Sequence, residues 1–123
     1  MKEISNRFCI IPPELLTDCL TPQSCRYVPH GAVHIMCSRK IVLDQSPASD
    51  TDGHRWSVSM SAASMDSRLA ELDGKTAYIG IFLSDGSVRI LGTPDFIPKL
   101  EVTPYSGAFA ISVSYDSLKP VDL

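Results

Sequence analysis

The stretch Thr76–Leu83 (Thr-Ala-Tyr-Ile-Gly-Ile-Phe-Leu) constrains the fold of this chain more than any other. Alternate residues of a β-strand point to opposite faces, and here both sets are apolar. One face carries Ala77, Ile79, Ile81 and Leu83, and the other carries Tyr78, Gly80 and Phe82. A strand that is apolar on both faces is covered on both, so Thr76–Leu83 is predicted to be a central strand.

The residues that follow predict two antiparallel hairpins. Asp85-Gly86 is predicted to form a type I′ turn in which both residues take a positive φ, so that Val88–Leu91 returns beside the central strand. A second hairpin is predicted around Pro104–Gly107, between Lys99–Thr103 and Ala108–Tyr115. Its inward residues are predicted to be Leu100, Val102, Phe109, Ile111, Val113 and Tyr115.

The first half of the chain predicts further strands and two short helices. Ala32–Leu43 alternates as one strand or two, with a break at Arg39-Lys40, and His54–Ser61 alternates as a half-buried strand. A helix is predicted within Ile10–Leu20, because proline suits a first turn. Another is predicted at Ala62–Leu72, where Met65, Leu69 and Leu72 recur at helical spacing.

Two polar stretches are predicted to lie outside the strands. Asp44–Gly53 has no apolar anchor except Ala48, so it is predicted to be a mobile surface loop. Asp116–Leu123 is predicted to be a C-terminal tail.

These elements predict a mainly β protein, with an α+β arrangement left open. Six or seven strands joined mostly by short turns favour an antiparallel sheet, a sandwich or a small barrel, with one or two short helices. The chain has 123 residues, of which 44% are hydrophobic and 20% charged. That length supports one core, so residues 1–123 are predicted to form a single domain.

Charge and hydropathy argue against two classes of partner. The net charge is −3 and the only adjacent basic residues are Arg39-Lys40, so we expect no nucleic-acid binding. No apolar run approaches the ~20 residues that cross a bilayer, so we expect no membrane insertion. Met1–Arg7 has no apolar signal region, and we therefore expect the protein in the cytoplasm.

Four cysteines lie in the first third of the chain: Cys9, Cys19, Cys25 and Cys37. In a reducing cytoplasm we expect them to be free thiols rather than disulfides, although a metal-bound state stays open. Cys25, His30, His34 and Cys37 form a conceivable zinc set. Their spacing matches no familiar zinc finger, and a strand over Ala32–Ser38 would point His34 and Cys37 to opposite faces.

The remaining motifs favour simple structural explanations. Asp50-Thr51-Asp52-Gly53 is similar to the middle of a calcium loop, but Ala48 and Ser59 occupy the first and twelfth ligand positions. His54, with Asp50 or Asp52, is the one candidate base for a hydrolase-like site, and no Gly-x-Ser-x-Gly motif accompanies it. We therefore predict no catalytic, cofactor-binding or metal-binding residues and no cofactor, and we expect the protein not to be an enzyme.

Two faces of small residues suggest a surface for association. One face consists of Ser57, Ser59 and Ser61. Trp56 lies on the opposite face of the same strand and is predicted to be in the core. The other face consists of Ala110, Ser112 and Ser114. Small side chains lose little entropy when a neighbouring subunit covers them. A ligand-binding cleft near Tyr78, Phe82 and Tyr105 is the alternative.

A resemblance supports the association hypothesis. Its residues are Tyr78-Ile79-Gly80-Ile81, Asp85-Gly86, Ile90-Leu91-Gly92-Thr93-Pro94 and Ser106-Gly107-Ala108-Phe109-Ala110-Ile111-Ser112-Val113. With them Tyr78–Tyr115, about a third of the chain, resembles small structural, tail-associated proteins of tailed-phage and prophage gene clusters. The resemblance implies a non-enzymatic role in virion assembly, with self-association or other structural proteins as partners and a phage particle as a destination. It identifies no functional residue.

Overall fold

The computed structural model describes residues 3–16, 28–38, 40–50, 53–92, 96–117 and 121, with only the backbone described at 48–50, 53 and 54. These residues form eight strands and two 3₁₀ helices, Pro13–Leu16 and Ser67–Glu71. The strands are β1 (Ile4–Ile11), β2 (Val33–Met36), β3 (Val42–Asp50), β4 (Gly53–Ser64), β5 (Tyr78–Leu83), β6 (Val88–Leu91), β7 (Lys99–Tyr105) and β8 (Ala108–Ser117).

The strands form two antiparallel sheets of four. The first sheet has the order β2-β1-β5-β6 and the second has the order β3-β4-β8-β7. Both sheets contribute to one hydrophobic core, in which Ile79 and Ile81 of the first sheet lie with Met60, Ile111 and Val113 of the second. The mainly β prediction is confirmed, and the architecture is a sandwich of two separate sheets rather than a closed barrel.

The prediction of a central strand is confirmed. β5 lies between β1 and β6, and five of its six residues are buried. On the side away from the main core, Tyr78 lies in a second cluster with Cys9, Ile11, Leu16 and Ile90. The 3₁₀ helix Pro13–Leu16 and residues 28, 32 and 97 pack over this cluster, so the outer face of the first sheet is covered around β5, while His34 and Met36 of β2 stay exposed.

The first hairpin turn differs from the predicted type I′, while the second hairpin forms as predicted. In the first turn only Gly86 has a positive φ, and the N–H of Gly86 donates a hydrogen bond to the carbonyl of Leu83. This geometry matches a three-residue loop, Ser84–Gly86. In the second hairpin, Ser106 (φ 48°) and Gly107 (φ 80°) both have a positive φ between the paired residues Tyr105 and Ala108. The two-residue turn with both φ angles positive is therefore in the second hairpin.

Each helix prediction was wrong over part of its length, and the helical residues that the structure describes are the two 3₁₀ helices Pro13–Leu16 and Ser67–Glu71. Ile10 and Ile11 belong to β1, where pairing with β5 buries their β-branched side chains, and the helical turn is limited to Pro13–Leu16. Residues 17–20 of the predicted helix lie outside the described residues. In Ala62–Leu72, β4 continues to Ser64 because its partner β8 runs alongside to that point.

The predicted loop Asp44–Gly53 is a β-hairpin for most of its length. β3 pairs with β4 without a register shift, from Val42 opposite Ser61 to Asp50 opposite Gly53; residues 51 and 52 lie outside the described part. Polar side chains did not prevent the pairing because the backbone makes the hydrogen bonds, and an edge strand tolerates a polar outer face. At the other end of the chain, Asp116 and Ser117 belong to β8, and Val121 is buried in the core.

The predicted stretch Ala32–Leu43 forms two strands that belong to different sheets. Ile35 and Cys37 are buried while His34 and Met36 are exposed, so the predicted alternation is confirmed. The chain then crosses from the first sheet to the second before β3 begins. The alternation predicted for His54–Ser61 is also confirmed, since Val58 and Met60 are fully buried in β4.

Side chains from the last residue of β4 and the segment after it cover the edge of β2. The hydroxyl of Ser64 donates to the carbonyl of Met36 at 2.5 Å, and the guanidinium of Arg68 donates to the carbonyl of His34 at 2.8 Å. Asp66 holds Arg68 through a 2.6 Å salt bridge, and this contact lowers the pKa of the Asp66 carboxyl below its usual value. An edge whose carbonyls are already bonded is a poor template for another strand.

Candidate functional site

The outer surface of the second sheet is made of small side chains from its two central strands. β4 and β8 pair so that Ser57 lies opposite Asp116, Ser59 opposite Ser114, Ser61 opposite Ser112 and Ala63 opposite Ala110. We call these eight residues the serine face. The two small-residue faces predicted from the sequence are thus adjacent strands of one surface.

The local sequence of each strand explains this surface. Each outward serine alternates with a residue that fills the main core, as Val58 and Met60 do in β4 and Ile111 and Val113 do in β8. Within the described part of the chain the outer positions stay accessible, and most residues of the serine face are exposed. The second sheet therefore has one covered face and one face that is accessible along its central strands, whereas the central strand of the first sheet, β5, is buried at five of its six residues.

The edge strands add larger side chains along both sides of the serine face. On β7, Lys99 lies opposite Ser114 and Glu101 opposite Ser112, which places Thr103 and Tyr105 on the same side. Tyr105 is 66% exposed at the end of this row. On β3 the corresponding residues are Val42, Asp44 and Ser46, and Val42 is 51% exposed.

A depression of about 370 Å³ lies at one end of the serine face. Its lining includes Ser57, Ser114 and Asp116 of the serine face together with Lys99 and Phe96. The guanidinium carbon of Arg55 lies 5.8 Å from the centre of the Phe96 ring, within reach of a cation–π interaction. We call this feature the Phe96 depression; it offers hydroxyls, one cation, one carboxylate and an aromatic wall.

A smaller depression of about 150 Å³ lies at the opposite end. Its lining includes Ala63, Ala110 and Tyr105. Seven residues of β7 separate the two ends, a length of about 20 Å at the usual rise of a strand. The serine face therefore has the Phe96 depression at one end and the exposed ring of Tyr105 at the other.

The described part of the predicted zinc set does not converge. Cys37 is buried in the main core, whereas His34 points to the opposite side of β2, where its ring stacks on Phe82 with centroids 5.9 Å apart. Cys25 lies outside the described residues and His30 is exposed. Within residues 3–16, 28–38, 40–50, 53–92, 96–117 and 121, no group of three His, Cys, Asp or Glu could hold a metal ion.

Two thiols are described, and both are free and buried. Burial raises the pKa of Cys9 to about 11, and the same cause raises the pKa of Cys37 to about 11. A thiol needs to lose its proton to act as a nucleophile or a metal ligand, so these two groups are chemically inert near neutral pH. They lie on opposite faces of the first sheet, Cys37 in the main core and Cys9 in the second cluster.

The calcium-loop similarity and the catalytic candidate lie at the end of the β3–β4 hairpin. The backbone of Asp50 pairs with Gly53, and His54 pairs with Ser49. Asp52, with Thr51, lies outside the described residues, and so do the side chains of Asp50 and His54. The expectation that this segment holds neither a metal nor a catalytic base stays a prediction.

The predicted cleft near Tyr78, Phe82 and Tyr105 does not form, because the three rings lie on two sheets. Tyr78 is 3% exposed in the second cluster, and Tyr105 is on the outer surface of the other sheet. The guanidinium of Arg7 covers Phe82 at 4.2 Å from the ring centre. Trp56 packs against the main core, as the sequence predicted.

Sequence reasoning missed the edge-strand residues and Phe96. The alternation of Lys99, Glu101 and Thr103 with the inward Leu100 and Val102 could have placed the β7 row beside the serine face. No local pattern could have placed Phe96, since it belongs to the connection between the two sheets.

Comparison with known proteins finds no matching family model, no matching curated protein and no matching solved structure. The described helices include none with the length and apolarity needed to cross a membrane.

Proposed function

We propose that this protein is a non-enzymatic structural and interaction protein that works by presenting the serine face to another protein surface in an assembly. The observation that carries the proposal is the asymmetry of the sandwich. The outer face of the first sheet is covered at its central strand β5, whereas the second sheet leaves the outer face of its central strands accessible, and the centre of that face consists of small side chains.

The chemistry of the serine face suits contact with a folded surface. Serine and alanine let two sheets approach closely and have few rotamers to lose. The larger exposed side chains, Tyr105 and Val42, stand at the edges, where aromatic and aliphatic anchors contribute to a protein interface.

Several edges of the sandwich are already occupied, which directs association to a face. The edge carbonyls of β2 accept from Ser64 and Arg68. On β7, the N–H of Leu100 donates to Lys75 and the N–H of Val102 donates to Asp73. Proline in the edge strands, Pro47 in β3 and Pro104 in β7, removes further donors.

The resemblance of Tyr78–Tyr115 to tail-associated phage proteins is consistent with this role. A small β sandwich that presents a flat face is suited to repeated contacts in a particle. We therefore include a prophage assembly component as the specific form of the proposal, with self-association or other structural proteins as the partners.

The test compares the natural chain with a variant in which Ser59→Arg and Ser112→Arg place two large cations in the middle of the serine face. Light scattering over a concentration series measures self-association, and affinity capture with both forms measures binding to structural proteins expressed from the neighbouring genes. The proposal expects association that the variant loses at an unchanged unfolding temperature. A chain that stays monomeric and captures none of these proteins would contradict it.

A control places one such cation on the first sheet. The substitution Met36→Arg, at an exposed position of β2, should leave association intact, because Met36 lies outside the serine face. Equal loss in the control would indicate nonspecific charge effects rather than a defined surface.

The Phe96 depression supports a second candidate, a small-ligand-binding module. Its volume of about 370 Å³ lies within the range of ligand sites, and its lining combines an aromatic ring with both charge signs. A thermal-shift panel distinguishes the two functions, because a ligand that binds only the native state raises the unfolding temperature. A ligand-induced shift lost in Phe96→Ala would favour this second function.

A further inference from the structure

We propose that the outer face of the first sheet holds an oxyanion-binding site, in which Arg7 and His34 bind the phosphate group of a phosphomonoester. The two side chains belong to neighbouring strands, β1 and β2, and both contact the ring of Phe82. We call Arg7, His34 and Phe82 the Phe82 cluster. It lies on the other sheet from the serine face, so this inference goes beyond the proposed function and does not depend on it.

The strand register brings the three side chains of the cluster together. Cys9 follows Arg7 by two residues in β1 and lies opposite His34, so Arg7 and His34 are diagonal neighbours on one face. Diagonal neighbours are about 7–8 Å apart at the backbone, a distance that an arginine side chain spans. Phe82 projects on the same outer face of β5, because the residue before it, Ile81, lies in the main core.

The residues beneath the cluster are small. Cys9 pairs with His34 on one side and with Gly80 on the other. Gly80 has no side chain, and a Cβ atom there would lie 2.5 Å from the Sγ of Cys9. This row therefore leaves room for the Phe82 ring to reach the His34 imidazole, with ring centroids 5.9 Å apart and planes inclined by 29°.

The Phe82 ring holds the guanidinium of Arg7 in place and leaves its donors available. The guanidinium carbon lies 4.2 Å from the ring centre, where the electron-rich face of the ring attracts a cation. This contact uses none of the five N–H groups. Among the residues that the structure describes, the Arg7 guanidinium has no hydrogen bond or ion pair, and the imidazole nitrogens of His34 have no hydrogen-bond partner.

The charges around the cluster favour an anion. Arg68 donates to the carbonyl of His34, and the carboxylate of Asp66 is already paired with Arg68 at 2.6 Å. The charge of Arg7 also acts on its surroundings: burial raises the pKa of Cys9 to about 11, and Arg7 counters part of this effect. In the described part of the chain no carboxylate pairs with Arg7, so its charge is available to an external anion.

The directions of the donors suit a tetrahedral oxyanion. A guanidinium offers two parallel N–H groups to two oxygens, and the imidazolium of His34 donates to a third oxygen from a second strand. A phosphomonoester has three such oxygens, whereas a carboxylate has two. Because both donors are exposed to solvent, we expect a dissociation constant on the order of 1 mM.

Protonation of His34 should strengthen the binding of an anion, because an imidazole changes its charge between about pH 5 and pH 8. The charged groups that face His34 are Arg7 of β1 and Arg68, which is paired with Asp66. The thiol of Cys9 keeps its proton in this range, since burial raises its pKa to about 11. Sulfate, whose own charge is constant here, should bind several-fold more tightly at about pH 5.5 than at about pH 8, and His34→Gln should remove this difference.

A chemical-shift titration of the full chain by nuclear magnetic resonance tests the site. Sodium phosphate is the ligand, and sodium chloride at equal ionic strength is the reference. We expect saturable shifts at the Phe82 cluster. Arg7→Gln should weaken phosphate binding about tenfold, and Arg7→Lys several-fold, because lysine keeps the charge without the planar fork. Lys75→Gln is the matched control: it removes one positive charge beside β7 of the other sheet and should leave phosphate binding unchanged.

Three further ligands define the chemistry. Glycerol 3-phosphate represents a phosphorylated small molecule, and O-phosphoserine represents a phosphorylated protein side chain. Saturable binding of either supports the site, and the tighter ligand identifies the source of the phosphate. Acetate carries a planar carboxylate and should bind clearly more weakly. Acetate binding as tight as phosphate binding overturns the assignment to a tetrahedral oxyanion.

The remaining outcomes decide the proposal without reference to the serine face. Phosphate shifts that do not saturate, or that match those in sodium chloride, overturn the site. Equal weakening by Arg7→Gln and Lys75→Gln overturns it too, since a diffuse charge effect would then explain the binding. Unfolding temperatures of all variants identify any loss that comes from unfolding, and in that case Arg7→Lys, which preserves the charge over Phe82, supplies the deciding comparison.

Discussion

The side-chain amide of Gln45 makes two hydrogen bonds with the backbone of Val121. Its Oε1 accepts from the Val121 N–H at 2.5 Å, and its Nε2 donates to the Val121 carbonyl at 3.1 Å. Gln45 lies on the inward side of the edge strand β3, and Val121 is 9% exposed in the main core. A single side chain thus holds the backbone at Val121 against the edge strand β3.

Replacing this amide should destabilise the protein. Gln45→Leu retains an apolar stem but leaves the N–H and carbonyl of Val121 without these partners, so we expect the free energy of unfolding to fall by about 1–3 kcal/mol. Urea denaturation measures the change. Ser46→Ala, at the neighbouring exposed position, should be nearly neutral, and an equal loss there would contradict the assignment.

Gly80 is needed because of Cys9. A Cβ atom at residue 80 would lie 2.5 Å from the Sγ of Cys9, so Gly80→Ala should cost about 1–3 kcal/mol through overpacking. In a Cys9→Ala background the same change should cost clearly less, since the clashing atom is gone. A double-mutant cycle by urea denaturation measures this coupling, and additive effects would argue against the contact.

Gly92 combines a special backbone angle with a crowded site. Its φ is +119°, and a Cβ there would lie 2.5 Å from Pro98 Cδ and 2.9 Å from Tyr78 Cδ1. Gly92→Ala should therefore cost about 3 kcal/mol or prevent folding. Gly74→Ala is the matched control, with a φ of +80° and no atom within 4 Å, and should cost only about 1 kcal/mol. Thermal unfolding of both variants tests the ranking.

The buried thiols predict a loss of stability at alkaline pH. Burial raises the pKa of Cys9 and of Cys37 to about 11 from 9.0, so between these values the unfolded chain loses thiol protons that the native chain keeps. Unfolding is then favoured as the pH rises, by up to about 1.4 kcal/mol per pH unit for each thiol. Their contribution is fully present below pH 9 and disappears between about pH 9 and 11.

Comparing variants isolates this effect from other groups that titrate in the same range. Cys9→Ala with Cys37→Ala lowers stability at pH 7 through lost packing, but should flatten the decline between pH 9 and 10. Urea midpoints measured at several pH values provide the comparison. A parallel decline in the natural chain and the variant would show that the thiols are not responsible.

Most of the correct sequence predictions came from the alternation of inward and outward side chains along the strands. It placed β5 at the centre of a sheet and assigned the inward residues of β4, β7 and β8, because burial of alternate side chains is a local property of a strand. The same alternation identified both small-residue faces. That these faces adjoin is a matter of strand order, which depends on pairing between distant segments and leaves no local signal.

The wrong predictions have a common cause in backbone pairing. Residues 44–50 look like a loop by composition, yet β4 offers a complete row of hydrogen-bonding partners. Met65, Leu69 and Leu72 match a helical spacing, but only Leu69 is fully buried, and Met65 is 74% exposed. In both segments the neighbouring strand determined the conformation, and local propensity did not.

The long-range pairing of the central strands has a consequence for how the molecule forms during synthesis. β1 is synthesised before the other described strands, but its neighbour β5 is synthesised about 70 residues later, as Ile10 pairs with Ile79. The second sheet has the same delay, because Met60 pairs with Val113, which is synthesised much later. Hairpins can form as they emerge, whereas the two sheets can form fully only after β5 and β8 have been synthesised, and such long-range pairing favours slow folding. Until then the side chains of Phe8, Ile10 and Ile11 remain exposed on the nascent chain and accessible to chaperones, whereas the folded sandwich buries them.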